Sequence, residues 1–258
     1  MTHSKQRGMT LVELLISLAL SLFLIAGMSE IFMQSQKNFT LERNLSDMTE
    51  DAVFILDFFT RSLSIAGYTS DGKRDVFTAD NAVMGTKINF IQGDYLSGLD
   101  SELLYRFKVT DKNDLNHSLC TSTLDFKQNE RITLYLYRDK DSNGVPVFYC
   151  KVKQEGTAPL NAKPLISQVE KIEFRYGVHL KNDLNNANDD TFYYVKSADV
   201  IDWQSVFAVK LFLVMRSADN NLTQTKMIYT IENAIYEASD YRLYRVFSKT
   251  VYLQALAQ

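Results

Sequence analysis

From Met9 to Ser29 the chain reads MTLVELLISLALSLFLIAGMS, twenty-one residues carrying one charge, Glu13. At about 1.5 Å per residue such a helix is roughly 31 Å long, enough to cross a bilayer core of about 30 Å. Lys5 and Arg7 precede the run and Glu30 follows it. The positive-inside rule then places the N-terminus in the cytoplasm and everything from about residue 30 onward outside it. An ordinary secretory signal would need a shorter apolar region, about 7–15 residues, and a small-x-small cleavage site. Ala26-Gly27-Met28-Ser29 imitates such a site weakly. A plain membrane anchor is the other simple reading. No proline precedes Pro146, so a long unbroken helix is permitted in the first half.

Both simple readings leave Glu13 unexplained. A carboxylate within an apolar span costs about 2.5–3.5 kcal/mol on insertion scales, and such groups are usually functional and paired. Its surroundings, Arg7-Gly8-Met9-Thr10-Leu11-Val12-Glu13-Leu14, resemble the class III signal of type IV pilins. The resemblance implies cleavage by prepilin peptidase between Gly8 and Met9, N-methylation of Met9, and Glu13 as the fifth mature residue. Met9 departs from the phenylalanine usual at the first mature position. It further implies that a neighbouring subunit's cationic amine meets the Glu13 carboxylate when helices pack with an axial stagger. Each intramembrane charge is then compensated in the assembled state, and the pair sets register.

The helical pattern continues past the membrane. Leu41, Leu45, Met48, Ala52, Ile55, Phe59, Leu63 and Ala66 recur at intervals of three and four, one apolar stripe. The stripe predicts a helix from Met9 to Ala66 packed on a core, with Gly67 as C-cap. Gly27 is a place where it could loosen. Residues 67–101 read as an irregular connection. Strands are predicted at Leu103–Val109, Arg131–Arg138, Val145–Lys151, Val169–Tyr176, Val206–Met215 and Lys226–Ile231. In the second of these Ile132, Leu134 and Leu136 alternate with Thr133, Tyr135 and Tyr137, the pattern of a half-buried strand. Val206–Met215 is too short and contains Lys210, which makes it a buried strand and not a second span. Residues 183–190 (DLNNANDD) read as an exposed loop.

Cys120 and Cys150 are the two cysteines, both on the exported side. In an oxidising compartment they predict a disulfide, closing a loop of about 30 residues worth roughly 3–4 kcal/mol. The three histidines, His3, His117 and His179, are scattered and form no zinc-type spacing. Asp139-Lys140-Asp141-Ser142-Asn143-Gly144 matches the first half of a calcium loop, but Cys150 occupies the twelfth position where a bidentate glutamate belongs. Asp139, Asp141 and Asn143 are therefore weighed as calcium ligands and read instead as a hairpin turn. No cofactor is expected. Lys plus Arg number 28 against 31 Asp plus Glu, a net charge of −3, which gives no support to direct nucleic-acid binding. There is no Gly-x-Ser-x-Gly, no phosphate-binding glycine loop and no histidine-centred acid–base cluster, so no catalytic residue is assigned. Asp125 and Glu130 read as surface. The 14 Tyr and 16 Phe, at strand spacing, read as core and cross-strand pairs.

Three interior segments add to the resemblance: Phe58–Tyr68 (FFTRSLSIAGY), Val169–Gly177 (VEKIEFRYG) and Tyr241–Tyr252 (YRLYRVFSKTVY) are similar to the PilW family of minor pilins. The implied architecture is α+β and type IV pilin-like, a long N-terminal helix packed on a mainly antiparallel sheet. Its expected parts are a leader, residues 1–8; a transmembrane and filament-core helix, 9–29; an amphipathic continuation, 30–66; and a periplasmic β-rich head, 67–258. The resemblance implies a subunit that joins other minor pilins to prime pilus assembly and sits at the tip, in support of adhesion, twitching motility or DNA uptake. Implied partners are prepilin peptidase, other minor pilins, the major pilin, a large tip adhesin, and the inner membrane before assembly. A J-type pseudopilin of type II secretion shares the processing site and is the first alternative. A membrane-anchored periplasmic binding protein is the second.

Overall fold

A computed structural model describes residues 10–67, 77–81, 83–109, 120, 130–179 and 192–253. The chain divides into two compact units, Met1–Ser46 and Asp47–Gln258. One helix, α1 (Leu11–Ser64), begins in the first and ends in the second.

In the first unit α1 is long and apolar enough, by length and composition, to cross a membrane, and none of its most apolar stretch is buried within the protein. It runs unbroken through Gly27. The few hydroxyls on it are satisfied locally. Ser17 donates to the Leu14 carbonyl, Ser21 to Ser17 and Ser29 to Ile25, at 2.7–2.9 Å. These bonds remove the cost of carrying serines in an apolar medium, since each donor finds a carbonyl on its own helix.

In the second unit the predicted stripe is the buried one. Met48, Ala52, Ile55, Phe59, Leu63 and Ala66 are all at most 3% exposed, and Phe58 joins them. Gly67 ends the helix with φ +74°, a conformation glycine adopts without a Cβ penalty, and its N–H donates to the Arg106 carbonyl at 2.7 Å.

Five strands follow as an antiparallel meander: β1 (Leu96–Gly98), β2 (Glu102–Lys108), β3 (Arg131–Lys140), β4 (Pro146–Gln154) and β5 (Lys163–Ser167). A second sheet is built from β6 (Val169–His179), β7 (Phe192–Val195) and β8 (Ala208–Arg216). The chain then leaves as a ribbon, β9 (Ile228–Ile231) with β10 (Ala234–Glu237), and returns as β11 (Tyr244–Tyr252). The second sheet has the order β11-β8-β6-β7, antiparallel throughout. The main core lies between α1 and the inner faces of both sheets. Ile132, Leu134 and Leu136 point into it from β3, Ile172, Phe174 and Tyr176 from β6, and Leu211 and Leu213 from β8. Phe59 of α1 meets Phe174 with ring centres 6.1 Å apart.

All six predicted strands are present with shifted ends. β1, β5, β7, β10 and β11 were not among them. The 67–101 connection is more ordered than expected where it is described: besides β1, its Val83, Ile88 and Phe90 cover the outer face of the first sheet. Tyr135, expected to face solvent, is 9% exposed beneath them. The strand is therefore buried on both faces. Residues 183–190 lie outside the described residues.

Candidate functional site

The chemistry of the apolar helix is concentrated at its first turn. Thr10 is the residue before the helix, and the Leu14 N–H donates to its carbonyl at 3.2 Å. The Glu13 N–H donates to Thr10 Oγ1 at 3.3 Å. In return the Thr10 N–H and hydroxyl both donate to Glu13 Oε2, at 3.3 and 3.4 Å. This reciprocal arrangement is a capping box, Thr-x-x-Glu, which satisfies donors that a helix start leaves open. It qualifies the expectation that the Glu13 charge is compensated by assembly alone, because Thr10 already gives the carboxylate two donors within the chain. The Thr-x-x-Glu spacing was the sequence signal for it. Leu11, Val12, Leu14, Leu15 and Ile16 around Glu13 are all exposed, so the carboxylate sits in an apolar, unpartnered surface. Gly8 and Met9 lie outside the described residues.

Cys120 and Cys150 form the expected disulfide, with Cα atoms 6.1 Å apart across 30 residues of chain. Cys150 is buried in β4 opposite Leu136, while Cys120 is partly exposed at the core's edge. The bond ties the segment before Arg131 to the returning strand of the β3–β4 hairpin. The turn of that hairpin is the calcium-like stretch. Asp141 Oδ1 accepts from the Asn143 and Val145 N–H groups at 2.9 and 2.8 Å, Asp139 Oδ1 accepts from the Lys140 N–H at 2.7 Å, and Gly144 takes φ +76°. Among the described residues no group of His, Cys, Asp and Glu is arranged to hold a metal ion.

A charged cluster on the outer face of β6 was not anticipated. Lys171, Glu173 and Arg175 alternate with the core residues Ile172, Phe174 and Tyr176, so period two puts all three on one face. Glu173 is bonded to Lys171 at 2.6 Å and to Arg175 at 2.7 Å, and Arg175 Nε reaches Glu232 of the ribbon at 2.9 Å. Tyr236 donates its hydroxyl to Glu173, and the Lys171 ammonium lies 3.6 Å from that ring's centre. Burial pushes the Glu173 carboxyl up, but the hydrogen bonds from Lys171 and Arg175 outweigh it and hold the group below the ordinary carboxylate value. The cluster pins the β9–β10 ribbon to the sheet beside a cleft of about 440 Å³. The Lys-x-Glu-x-Arg alternation in the sequence was its only signal.

An apolar helix that begins with a capped glutamate, followed by a disulfide-closed head of antiparallel sheets, is an α+β, pilin-like architecture. Residues 3–29 match the prokaryotic N-terminal methylation motif, the hallmark of a class III signal peptide. Residues 135–255, from within β3 through β11, match the family described as type IV pilus-assembly protein W. Both matches are those of a type IV pilin-like protein with a class III signal peptide, and the second is to the PilW family. No curated protein and no solved structure matches the chain. The two matches support a minor pilin or assembly subunit of a type IV pilus, membrane-anchored and pilus-associated, in a family that is structural in role.

Proposed function

We propose that this chain is a minor pilin that joins other minor pilins to prime pilus assembly and remains at the filament tip. Prepilin peptidase cuts it between Gly8 and Met9, Met9 is N-methylated, and the helix from residue 9 to 29 stores the subunit in the inner membrane with its head in the periplasm. Extraction into a filament pairs Glu13 with the amine of a neighbouring subunit. The observation that carries this reading is the helix surface itself: a continuous exposed apolar cylinder with one carboxylate, held at its first turn by Thr10. Such a surface needs either lipid or other such helices around it, and a charge there favours a partner of opposite sign. The match over residues 135–255 to a pilus-assembly family supports the reading as a pilus subunit; the pseudopilin alternative shares the N-terminal processing site. Adhesion, twitching and DNA uptake would all depend on the same priming step.

The test is mass spectrometry of the mature N-terminus together with the proteins that co-purify from detergent extracts. A methylated Met9 and other minor pilins are expected. An uncleaved leader would point to the periplasmic binding protein, and secretion-system subunits to the pseudopilin; either overturns the reading.

A further inference from the structure

β11 is the longest of the strands that end the two sheets. The others, β1, β5 and β7, run only three to five residues. All nine residues of β11 pair in unbroken register with β8, from Tyr244 opposite Arg216 to Tyr252 opposite Ala208, with no proline and no bulge. The Leu253 N–H donates to the Phe207 carbonyl at 2.8 Å, and the Ser217 N–H donates to the Leu243 carbonyl at 2.9 Å. Odd-numbered residues therefore turn their backbone groups toward β8, and those of Val246, Ser248, Thr250 and Tyr252 face away from it. Among the described residues none of these outward N–H and C=O groups has a partner. Only the start of the edge is closed, where the Tyr244 N–H meets the Met227 sulfur at 3.2 Å. An open edge of this kind is a template for another strand.

The side chains decide what kind of strand fits. Arg245, Phe247, Lys249 and Val251 lie on the core side of β11, with Val251 buried and Phe247 packed on the core. Arg245 and Lys249 reach past that core and are exposed. Arg245 donates to Thr49 Oγ1 at 3.5 Å and lies over the Phe247 ring. Neither cation has a carboxylate partner among the described residues. If a second β11 paired antiparallel about Phe247, Arg245 of each strand would stand opposite Lys249 of the other. Like charges directly opposite are destabilising, so this self-pairing is disfavoured and carboxylates at those places are favoured. On the other face Val246 and Thr250 are half-buried and suit β-branched or apolar neighbours.

We propose that the outer edge of β11 is a strand-addition site for an extended acidic segment of another protein, with carboxylates opposite Arg245 and Lys249. Backbone hydrogen bonds hold the segment, and the two cations select it. In antiparallel register its two acids stand four residues apart on one face. That the partner is another subunit of the pilus rests on the function proposed above; the strand addition itself does not.

Full-length protein in detergent is incubated with peptides of about ten residues, alternating valine and threonine, that carry either Glu or Lys at two positions four apart. Hydrogen exchange at the Val246, Ser248, Thr250 and Tyr252 amides reads pairing. In free protein these amides should exchange faster than their odd-numbered neighbours. The Glu peptide at about ten times its Kd should slow them about tenfold, and the Lys peptide should not. Ser248→Pro removes a donor that faces away from β8, so the head should keep its Tm while protection by the Glu peptide is lost. Arg245→Glu with Lys249→Glu should reverse the preference to the Lys peptide. Slow exchange in dilute free protein overturns the proposal, because the edge is then already closed. Protection that grows with protein concentration alone makes a second copy the occupant and overturns it too. Equal protection by both peptides, or by neither, does the same, and this comparison needs no variant. In cells, Ser248→Pro should mature normally and lose pilus subunits that co-purify with wild type. Unchanged co-purification overturns the partner assignment. Wild type that brings down no pilus subunit overturns the function proposed above, and the peptide comparison still decides the edge.

Discussion

Replacing Cys120 with serine isolates the contribution of the disulfide. The bond spans 30 residues, and in the chain-entropy model a loop of about that length removes about 12 cal/mol/K from the unfolded ensemble, or about 3.7 kcal/mol at 25 °C. Domain stabilities are commonly about 5–15 kcal/mol, so this is a large share. Position matters for the clean result. Cys120 is partly exposed, so a serine hydroxyl there is still solvated, whereas Cys150→Ser would bury a hydroxyl beside Leu136 and add a second cost. The Cys150 thiol left behind packs as a small hydrophobe. For a domain of roughly 200 residues, where each kcal/mol is worth about 2–4 °C, Tm should fall by about 7–15 °C. The assay is thermal unfolding of full-length protein in detergent, with wild type plus reductant as the matching control; that control should melt with Cys120→Ser. A variant melting within about 2 °C of the oxidised wild type would refute the entropic reasoning. Two alkylatable thiols in unreduced wild type would refute the bond itself.

Glu13→Leu removes an insertion cost of about 2.5–3.5 kcal/mol, so membrane abundance should hold or rise while recruitment into sheared pili falls. Unchanged recruitment at equal abundance would show that Glu13 has no pairing role. Gly8→Val should crowd the peptidase site and leave full-length precursor in the membrane, visible as an unshifted band; normal maturation sinks the cleavage assignment. For Glu173 the sign follows from a folded carboxyl held below its ordinary value of 4.5. The stability it supplies is present above that value and is lost as pH falls through the depressed folded one. An acid series should therefore show Tm falling below about pH 4.5, more shallowly in Arg175→Met, and parallel curves for the two proteins would count against the linkage.

Much was legible in the sequence because it depended on local pattern. A run of twenty-one mostly apolar residues with one charge fixes a helix of membrane length whatever surrounds it, and the three-and-four spacing from Met48 to Ala66 picks out the face that is buried. Ile132, Leu134 and Leu136 declare an inward face by period two. Two cysteines have one way to pair within the chain. Even the Thr10–Glu13 capping box is written in a four-residue spacing.

The tertiary structure decided what depends on distant residues. β5, β7 and β10 are only four or five residues long, too short for a clear alternation, and they exist because β4, β6 and β9 offer them edges. β11 becomes a nine-residue strand through its register with β8, some thirty residues earlier. The outer face of the first sheet is covered because Val83, Ile88 and Phe90 fold back over Leu104 and Tyr135, a contact no local periodicity encodes. The same covering segment brings the Thr78 carbonyl and the Phe90 ring to Arg106 while leaving two of its donors unpaired. Periodicity can say which way a side chain points along its own strand; what stands opposite it is set by chain closure between elements far apart in sequence, and that is where the charge cluster on β6 and the burial of Arg106 arise.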